Sequence, residues 1–330
     1  MKRLTILYLI CIIFIFLLPV FIVQLGHIGI YDNLNNDFPI SKLKSTGKIK
    51  VYIKAEDKVA DMELEEYIRG VLAAEMPASF PLEALKAQAV AARSYVISRI
   101  SNDKGDVPEH KGAQMCTDFA HCQAWISKEE RLEKWDEKDR VNFWNKITAA
   151  VQDTAGEIMV FDNKPVSAVF CAISSGKTER AADVWGSDIS YLQSVDSPYD
   201  KNAPGYETKV ELTLQEFKDK LITSKSDVKI SDNPGDWYKD EVRTEGGGVS
   251  SCNIGGVTLK GTEVRTIFGL RSINYTLQFT NDKAIFDVKG YGHGVGMSQW
   301  GAKYYAEDGK NYKDILKLYY NGISFNKITK

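Results

Sequence analysis

The sequence predicts an α+β protein: a single-pass N-terminal membrane helix followed by one extracytoplasmic α+β unit. Three observations lead there. An almost unbroken apolar run opens the chain. Helical periodicity then governs the first part of the remainder. A two-residue alternation replaces it before helical spacing returns near the end.

Lys2 and Arg3 precede an apolar run at 4–23, close to the roughly 20 residues a helix needs to cross a bilayer. The basic pair keeps residues 1–3 in the cytoplasm and sends the rest outside. A cleaved signal peptide is the alternative, but its apolar core is shorter, ~7–15 residues, and ends in a small-x-small site. "QLGHIGIYD" offers no such site. Residues 24–48, polar and rich in turn formers, read as a tether. Residues 49–330 hold no internal repeat and no linker polar enough to divide them, so they read as one unit with lobes.

Within that unit "KIKVYIKAED" alternates like a strand. Leu64, Tyr67, Ile68, Val71 and Leu72 recur at helical spacing, and Pro77 ends that helix just past Glu75. A second helix opens near Ser79–Pro81, with Ser79 as its cap and Pro81 in its first turn. Ala84, Ala87, Ala91 and Ala92 make one of its sides small, which predicts a buried strut. The charged stretch 129–156 is helical, broken in two at most, and Gly156 stops it. "EIMVFDNKPVSAVFCAISSG" turns to period two around an Asp-Asn turn. Short strands continue in "SINYTLQFT" and "KAIFDVKGYG", and the tail from Ser298 is helical again.

Lys plus Arg, 42, nearly balance Asp plus Glu, 44, so the chain lacks the basic footprint of a nucleic-acid binder. Its 44% hydrophobic content excludes a disordered chain. Cys116, Cys122, Cys171 and Cys252 are too few for a disulfide scaffold of this size.

Four segments can carry chemistry. In "VLAAEMPASF", Glu75 sits at a helix end among apolar neighbours. The macrodipole and burial both disfavour its charge, so its pKa should rise and suit it to general-acid work. A surface glutamate paired with Lys86 or Arg93 is the alternative. In "MCTDFAHCQAW", Cys116, His121 and Cys122 offer thiolate and imidazole, which suit zinc, with Asp118 beside them. A second ligand pair would come from elsewhere, such as Cys171 or His293. A Cys116–Cys122 bridge or plain core cysteines are the alternatives. "GYGHGVGMSQWGA" has the wrong spacing for a dinucleotide loop. It reads as a tight backbone wall open to a bulky ligand, with Tyr291 and His293 at its rim and Trp300 nearby. "SSGKTERAADVWG" places Ser174, Ser175 and Lys177 in a polar turn after a strand, and "GLRS" offers Arg271 and Ser272 more weakly.

These motifs, "EMPASFPLEALKAQAVAARSY", "SSGKTERAADVWG", "GLRS" and "GYGHGVGMSQWGA", come in an order that resembles the stage II sporulation protein D family, to which amidase-enhancer proteins are related. The resemblance spans roughly residues 50 to 325. It implies a peptidoglycan lytic transglycosylase acting between mother-cell and forespore membranes during engulfment. The expected cut is the bond from N-acetylmuramic acid to N-acetylglucosamine in peptide-stripped strands, bound in a glycan cleft. The implied partners are an amidase-endopeptidase of the stage II sporulation protein P type and an M-type membrane protein. Glu75 matches the family's catalytic glutamate, and Arg93 and Lys177 match residues the family needs. With Gln88, Ser174, Tyr291 and His293 they form the expected substrate-binding set. Clostridial-type members suggest zinc beside the cleft, with Cys116 and His121 as the best pair and Cys122 weaker. One departure stands out: Cys171 occupies a position where the family usually has histidine, and Ser175 one where it has glycine. A non-catalytic glycan-binding enhancer of a partner amidase and a zinc-dependent hydrolase are the competing readings, the latter without an HExxH motif.

Overall fold

The computed structural model describes residues 47–102 and 108–328. Among these no helix is long and apolar enough to cross a membrane. The expected anchor at 4–23, its 1–3 tail and nearly all of the 24–48 tether lie outside the described residues.

Strand β1 (Lys48–Ile53) turns Ile49, Val51 and Ile53 inward. It pairs antiparallel with β2 (Lys58–Glu63) and parallel with β3 (Met115–Cys116), so the third strand delivers Cys116 beside Tyr52. Helix α1 (Leu64–Glu75) buries Leu64, Tyr67, Ile68, Val71 and Leu72, the predicted stripe. It stops because Met76 precedes a proline and is extended, with φ −129° and ψ 136°.

Helix α2 (Leu82–Ser101) is the strut the alanines predict. Ala84, Ala87, Ala91 and Ala92 are all fully buried, and small side chains let neighbours close on it from several directions. Pro81 rather than Ser79 holds its cap position, and no side chain caps it. The charged stretch does break in two, into α3 (Lys128–Lys134), capped by Ser127, and α4 (Glu137–Asp153).

Strand β4 (Glu157–Phe161) lies along α2 and turns through Asp162 and Asn163, both at positive φ, into β5 (Lys164–Pro165). Strand β6 (Phe170–Cys171) leads into the polar 174–180 turn and the short α5 (Ala181–Trp185).

Residues 207–289 form a lobe that the sequence reading left largely unassigned. Strands β7 (Glu207–Thr213), β11 (Tyr275–Phe279) and β12 (Lys283–Lys289) make one sheet in the order β11-β12-β7. Strands β8 (Tyr238–Arg243), β9 (Val249–Ile254) and β10 (Val257–Lys260) make a second, in the order β10-β9-β8. Helices α6 (Leu214–Ser224) and α7 (Gly261–Phe268) pack with them around Phe217, Trp237, Phe268 and Phe286. Phe217 stacks on Phe268 at 4.6 Å, the kind of aromatic pairing that fixes a small core.

The chain then returns. Strand β13 (Met297–Ser298) pairs parallel with β6 and opens α8 (Gln299–Glu307), capped by Ser298. Helix α9 (Tyr312–Tyr319) and β14 (Ser324–Lys327), antiparallel to β4, close the fold. Both α8 and α9 pack on α2, so α2 carries the N-terminal helices on one side and the C-terminal motif on another. The class is α+β, as predicted.

Candidate functional site

Tyr67, Val71 and Glu75 follow one another at four-residue steps along α1, and the first two are fully buried. Glu75, the last helical residue, is thereby held half-buried at the edge of the core. Its Oε1 accepts a 2.7 Å hydrogen bond from the Ala124 N–H. The Gln299 amide, at the start of α8, is its second neutral donor. Burial lifts the Glu75 pKa above the ordinary carboxylate range, and these two donors offset the lift only in part. Among the described residues no cation answers the carboxylate. Lys86 pairs with Glu83 and Asp153, 3.0 Å each, and Arg93 is committed elsewhere.

Arg93 is 0% exposed. Its Nε and Nη2 fork Glu65 at 2.9 and 2.6 Å, and Nη1 donates to the Glu157 carbonyl at 3.0 Å. It ties α2 to α1 and β4. The expectation that Arg93 contacts substrate is corrected: it has no surface to offer.

Ser174 is also fully buried. Its N–H donates to Asp200 at 3.0 Å and its hydroxyl donates to the same carboxylate oxygen. Asp200 takes the Ser298 hydroxyl at 2.8 Å as well. This carboxylate knots the polar turn to β13, so Ser174 is a brace and not a ligand. Gln88, fully buried, accepts from Gln299 Nε2 at 3.5 Å.

Lys177 stays at the surface, its Nζ 2.9 Å from Glu245. Tyr291 is exposed, with the Arg271 guanidinium 3.9 Å above its ring. His293 turns inward. Its Nδ1 accepts from the Val295 N–H at 3.0 Å, and its ring lies 5.0 Å from that of Trp185. Burial, helped by the nearby Arg265 charge, lowers its pKa to about 4. It is neutral at pH 7 and so is not poised as a general acid there. No hydrogen bond or ion pair joins Lys177, Tyr291 or His293 to Glu75 among the described residues.

The glycine motif faces the protein itself. A Cβ on Gly292 would meet the Cβ of Cys171 at 2.9 Å, and one on Gly296 would overlap the Val169 carbonyl; both residues sit at positive φ. The predicted wall for a bulky ligand is therefore a seam against 169–179. Cys171 lies sealed under that seam, and burial pushes its thiol pKa up.

The metal-competent cluster is fuller than predicted. His110, Cys116, His121 and Cys122 bring four donor atoms within 4.8 Å of one another. Cys171 and His293 take no part, and neither Cys116 nor Cys122 is in a disulfide. The sulfur–nitrogen separations are 3.6 Å for Cys122 to His110, 3.7 Å for Cys122 to His121 and 3.7 Å for Cys116 to His121. A tetrahedral zinc sets such donors roughly 3.3–3.8 Å apart. The two imidazole nitrogens are closer, at 2.6 Å. His110 Nδ1 lies 3.2 Å from the Ala113 carbonyl, which fixes that ring and turns Nε2 toward the cluster. The Cys122 thiol beside Cys116 lowers the Cys116 pKa at the expense of its own, so the pair favours one thiolate. These residues fit a tetrahedral ion. Asp118 is not a ligand: its carboxylate pairs with Lys54 at 2.5 Å and its carbonyl accepts from Cys122 N–H at 2.8 Å, shaping the turn.

The same loop reaches the carboxyl. Two residues past Cys122, Ala124 donates to Glu75. Trp125 then lies across Gly70, where a Cβ would overlap the indole, and Ile126 N–H bonds the Gly70 carbonyl at 3.3 Å. Gly70→Ala should therefore expel Trp125 and cost about 1–3 kcal/mol of stability, the usual penalty for overpacking. Urea unfolding and tryptophan emission check this, and an unchanged midpoint and spectrum would contradict the packing.

Four contributors escaped the sequence reading. His110 is six residues before Cys116, and a count of imidazoles near the thiols would have found it. Gln299 lies within the glycine-rich motif, where no local signal marks its role. Glu179, buried, accepts from Thr244 at 2.6 Å and Gly248 N–H at 2.9 Å and pins the 244–248 loop; the Gly-Gly-Gly there was its only signal. Ala124 acts through its backbone, which no sequence displays.

A carboxyl of raised pKa without a charged partner among the described residues, set by an α+β frame beside a four-donor cluster able to hold a metal, is the class of site present. Comparison with known proteins specifies it. Residues 52–161 match the SpoIID family, described as Stage II sporulation protein. Stage II sporulation protein D of Bacillus subtilis (strain 168) is 40% identical over 280 residues, covering 84% of this chain and 79% of that one. The Bacillus amyloliquefaciens protein of the same name is 38% identical over 284 residues, covering 86% and 80%. A more distant relative, 26% identical over 316 residues and matched over 40% of its own length, is the amidase enhancer of Bacillus subtilis (strain 168). The chain belongs to the stage II sporulation protein D family.

Proposed function

We propose that the protein is a membrane-anchored peptidoglycan lytic transglycosylase acting in engulfment, with Glu75 as its single acid/base. The observation that supports this most is the isolation of Glu75. Among the described residues no ion pair or hydrogen bond joins it to a second charged group; its carboxylate accepts from the Ala124 N–H at 2.7 Å, and burial raises its pKa. Hydrolases that retain or invert use two carboxylates. A single one suffices where the nucleophile belongs to the substrate.

The steps balance on one residue. Protonated Glu75 gives its proton to the glycosidic oxygen leaving muramic C1. The carboxylate then takes the proton of the C6 hydroxyl of the same sugar. That hydroxyl closes a 1,6-anhydro ring on C1, and Glu75 ends ionised only in passing, its proton restored. The attached nucleophile needs no captured water, which is an advantage of proximity. Ala124 holds the plane of the carboxyl, and Lys177 and Tyr291 remain the surface residues able to meet the glycan.

The four-donor cluster would hold zinc through His110, Cys116, His121 and Cys122, and zinc there would supply rigidity to the loop. Residues 4–23 would anchor the domain outside the membrane. The P-type amidase would supply stripped strands and the M-type protein would hold the assembly.

A relative named amidase enhancer supports one second reading, a glycan binder that activates a partner amidase. Incubating the full chain with peptide-free strands separates the two. The transglycosylase reading expects anhydro-muramic ends by mass spectrometry from the wild type and none from Glu75→Ala, with strand binding kept by both. Binding without cleavage by the wild type would favour the enhancer.

A further inference from the structure

We propose that the metal-competent cluster is a closed clasp that presents the Ala124 N–H to Glu75, making Ala124 a positioning residue for the acid/base. The inference rests on Glu75 being that acid/base.

The chain between the cluster and the carboxyl is very short. Cys122 is a donor, Gln123 follows, and Ala124 N–H meets Glu75 Oε1 at 2.7 Å. Gln123 does not fix this segment through its own side chain. It is 2% exposed, and neither of its amide atoms has a partner among the described residues. The segment is fastened at its two ends instead. On the far side, Trp125 lies across Gly70 and Ile126 N–H bonds the Gly70 carbonyl. On the near side, the fastening falls to Cys122 and the three other donors.

Those donors come from separate places. Cys116 is set by β3 against β1, and His110 is oriented by Ala113. His121 and Cys122 ride on the Asp118 turn. Joining them ties that turn to the β1–β3 sheet, and the Ala124 N–H cannot then drift along α1.

The donor count also separates a clasp from a catalyst. Catalytic zinc sites keep three protein ligands and an open position, whereas four protein donors fill a tetrahedron. Two cysteines and two histidines leave no place for a reacting water or a sugar oxygen. The cluster therefore acts on Glu75 only through the loop.

The test uses the full chain in detergent, loaded with zinc, stripped by chelator, or reloaded with cobalt or cadmium. The clasp predicts that stripping raises amide exchange across 120–126 at least tenfold, read by mass spectrometry. It predicts a fall in kcat of about 10²-fold with KM little changed, because a group misplaced by an ångström costs that much. Cobalt should give tetrahedral and thiolate charge-transfer bands, and both substitute ions should restore low exchange and activity alike. Ala124→Pro, which deletes the donor, should lose kcat to a similar extent while retaining one equivalent of metal. Unchanged exchange on stripping would overturn the clasp. So would rates that follow the identity of the metal, since that would place the ion in the chemistry. If Glu75→Gln keeps full activity, the acid/base reading fails while the exchange experiment still reports on the clasp.

Discussion

Glu75→Gln should lose glycan cleavage by on the order of 10³-fold and yet unfold at a higher temperature than the wild type at neutral pH. The first effect is the loss of the group that gives and retakes the proton in the proposed reaction. The second follows from linkage. Burial raises the folded-state pKa of Glu75 above its unfolded value, so the native state binds that proton more tightly. The stability this contributes is complete below the unfolded carboxylate range and is lost as pH rises through the folded pKa. At neutral pH the ionised carboxylate is a burden to the fold. Glutamine removes the charge while its Oε1 still accepts from Ala124. Thermal unfolding across pH 4–8 should show the two curves converging in acid and separating toward neutrality. The activity of the wild type should fall along the alkaline limb as Glu75 loses its proton. A variant less stable than the wild type at neutral pH would contradict the burial that underlies the site.

Arg93→Ala should destabilise the protein by about 3–5 kcal/mol, since removing one member of a buried pair strands the other. Glu65 is 35% exposed and partly rescued by solvent, which favours the lower end. Arg93→Lys should recover only part of the loss. A single ammonium cannot both fork Glu65 and reach the Glu157 carbonyl, which the guanidinium does with three nitrogens. Urea unfolding measures the cost. Below the transition, KM for glycan should stay near the wild-type value in both variants. A raised KM with unaltered stability would return Arg93 to the substrate, against its complete burial.

The sequence showed elements with local signatures well. The apolar stripe and Pro77 bounded α1 to within two residues, and the alanine pattern marked α2 as buried. The Asp-Asn turn identified the β4–β5 hairpin. Glu75 was legible for the same reason: helix end, proline stop and apolar surroundings are all local. What failed was non-local. Phe217, Trp237, Phe268 and Phe286 build the 207–289 core from four distant positions, on helices α6 and α7, just before β8 and on β12. Arg93 and Ser174 have the residue types of ligands, and only their burial against Glu65 and Asp200 reveals them as braces. The glycines of 290–296 look like room for a ligand until the chain that fills the room is seen. His110 joins Cys116, His121 and Cys122 because β3 and the Asp118 turn fold it there.

The most direct test of a single-carboxylate transglycosylase is to digest peptide-stripped glycan strands in water enriched in heavy oxygen and weigh the new ends. The account predicts 1,6-anhydro-muramic ends that carry no label, because the substrate's own hydroxyl closes the ring. Reducing muramic ends that carry the heavy oxygen would mean that water is the nucleophile, and Glu75 would then need a partner that this reading does not supply.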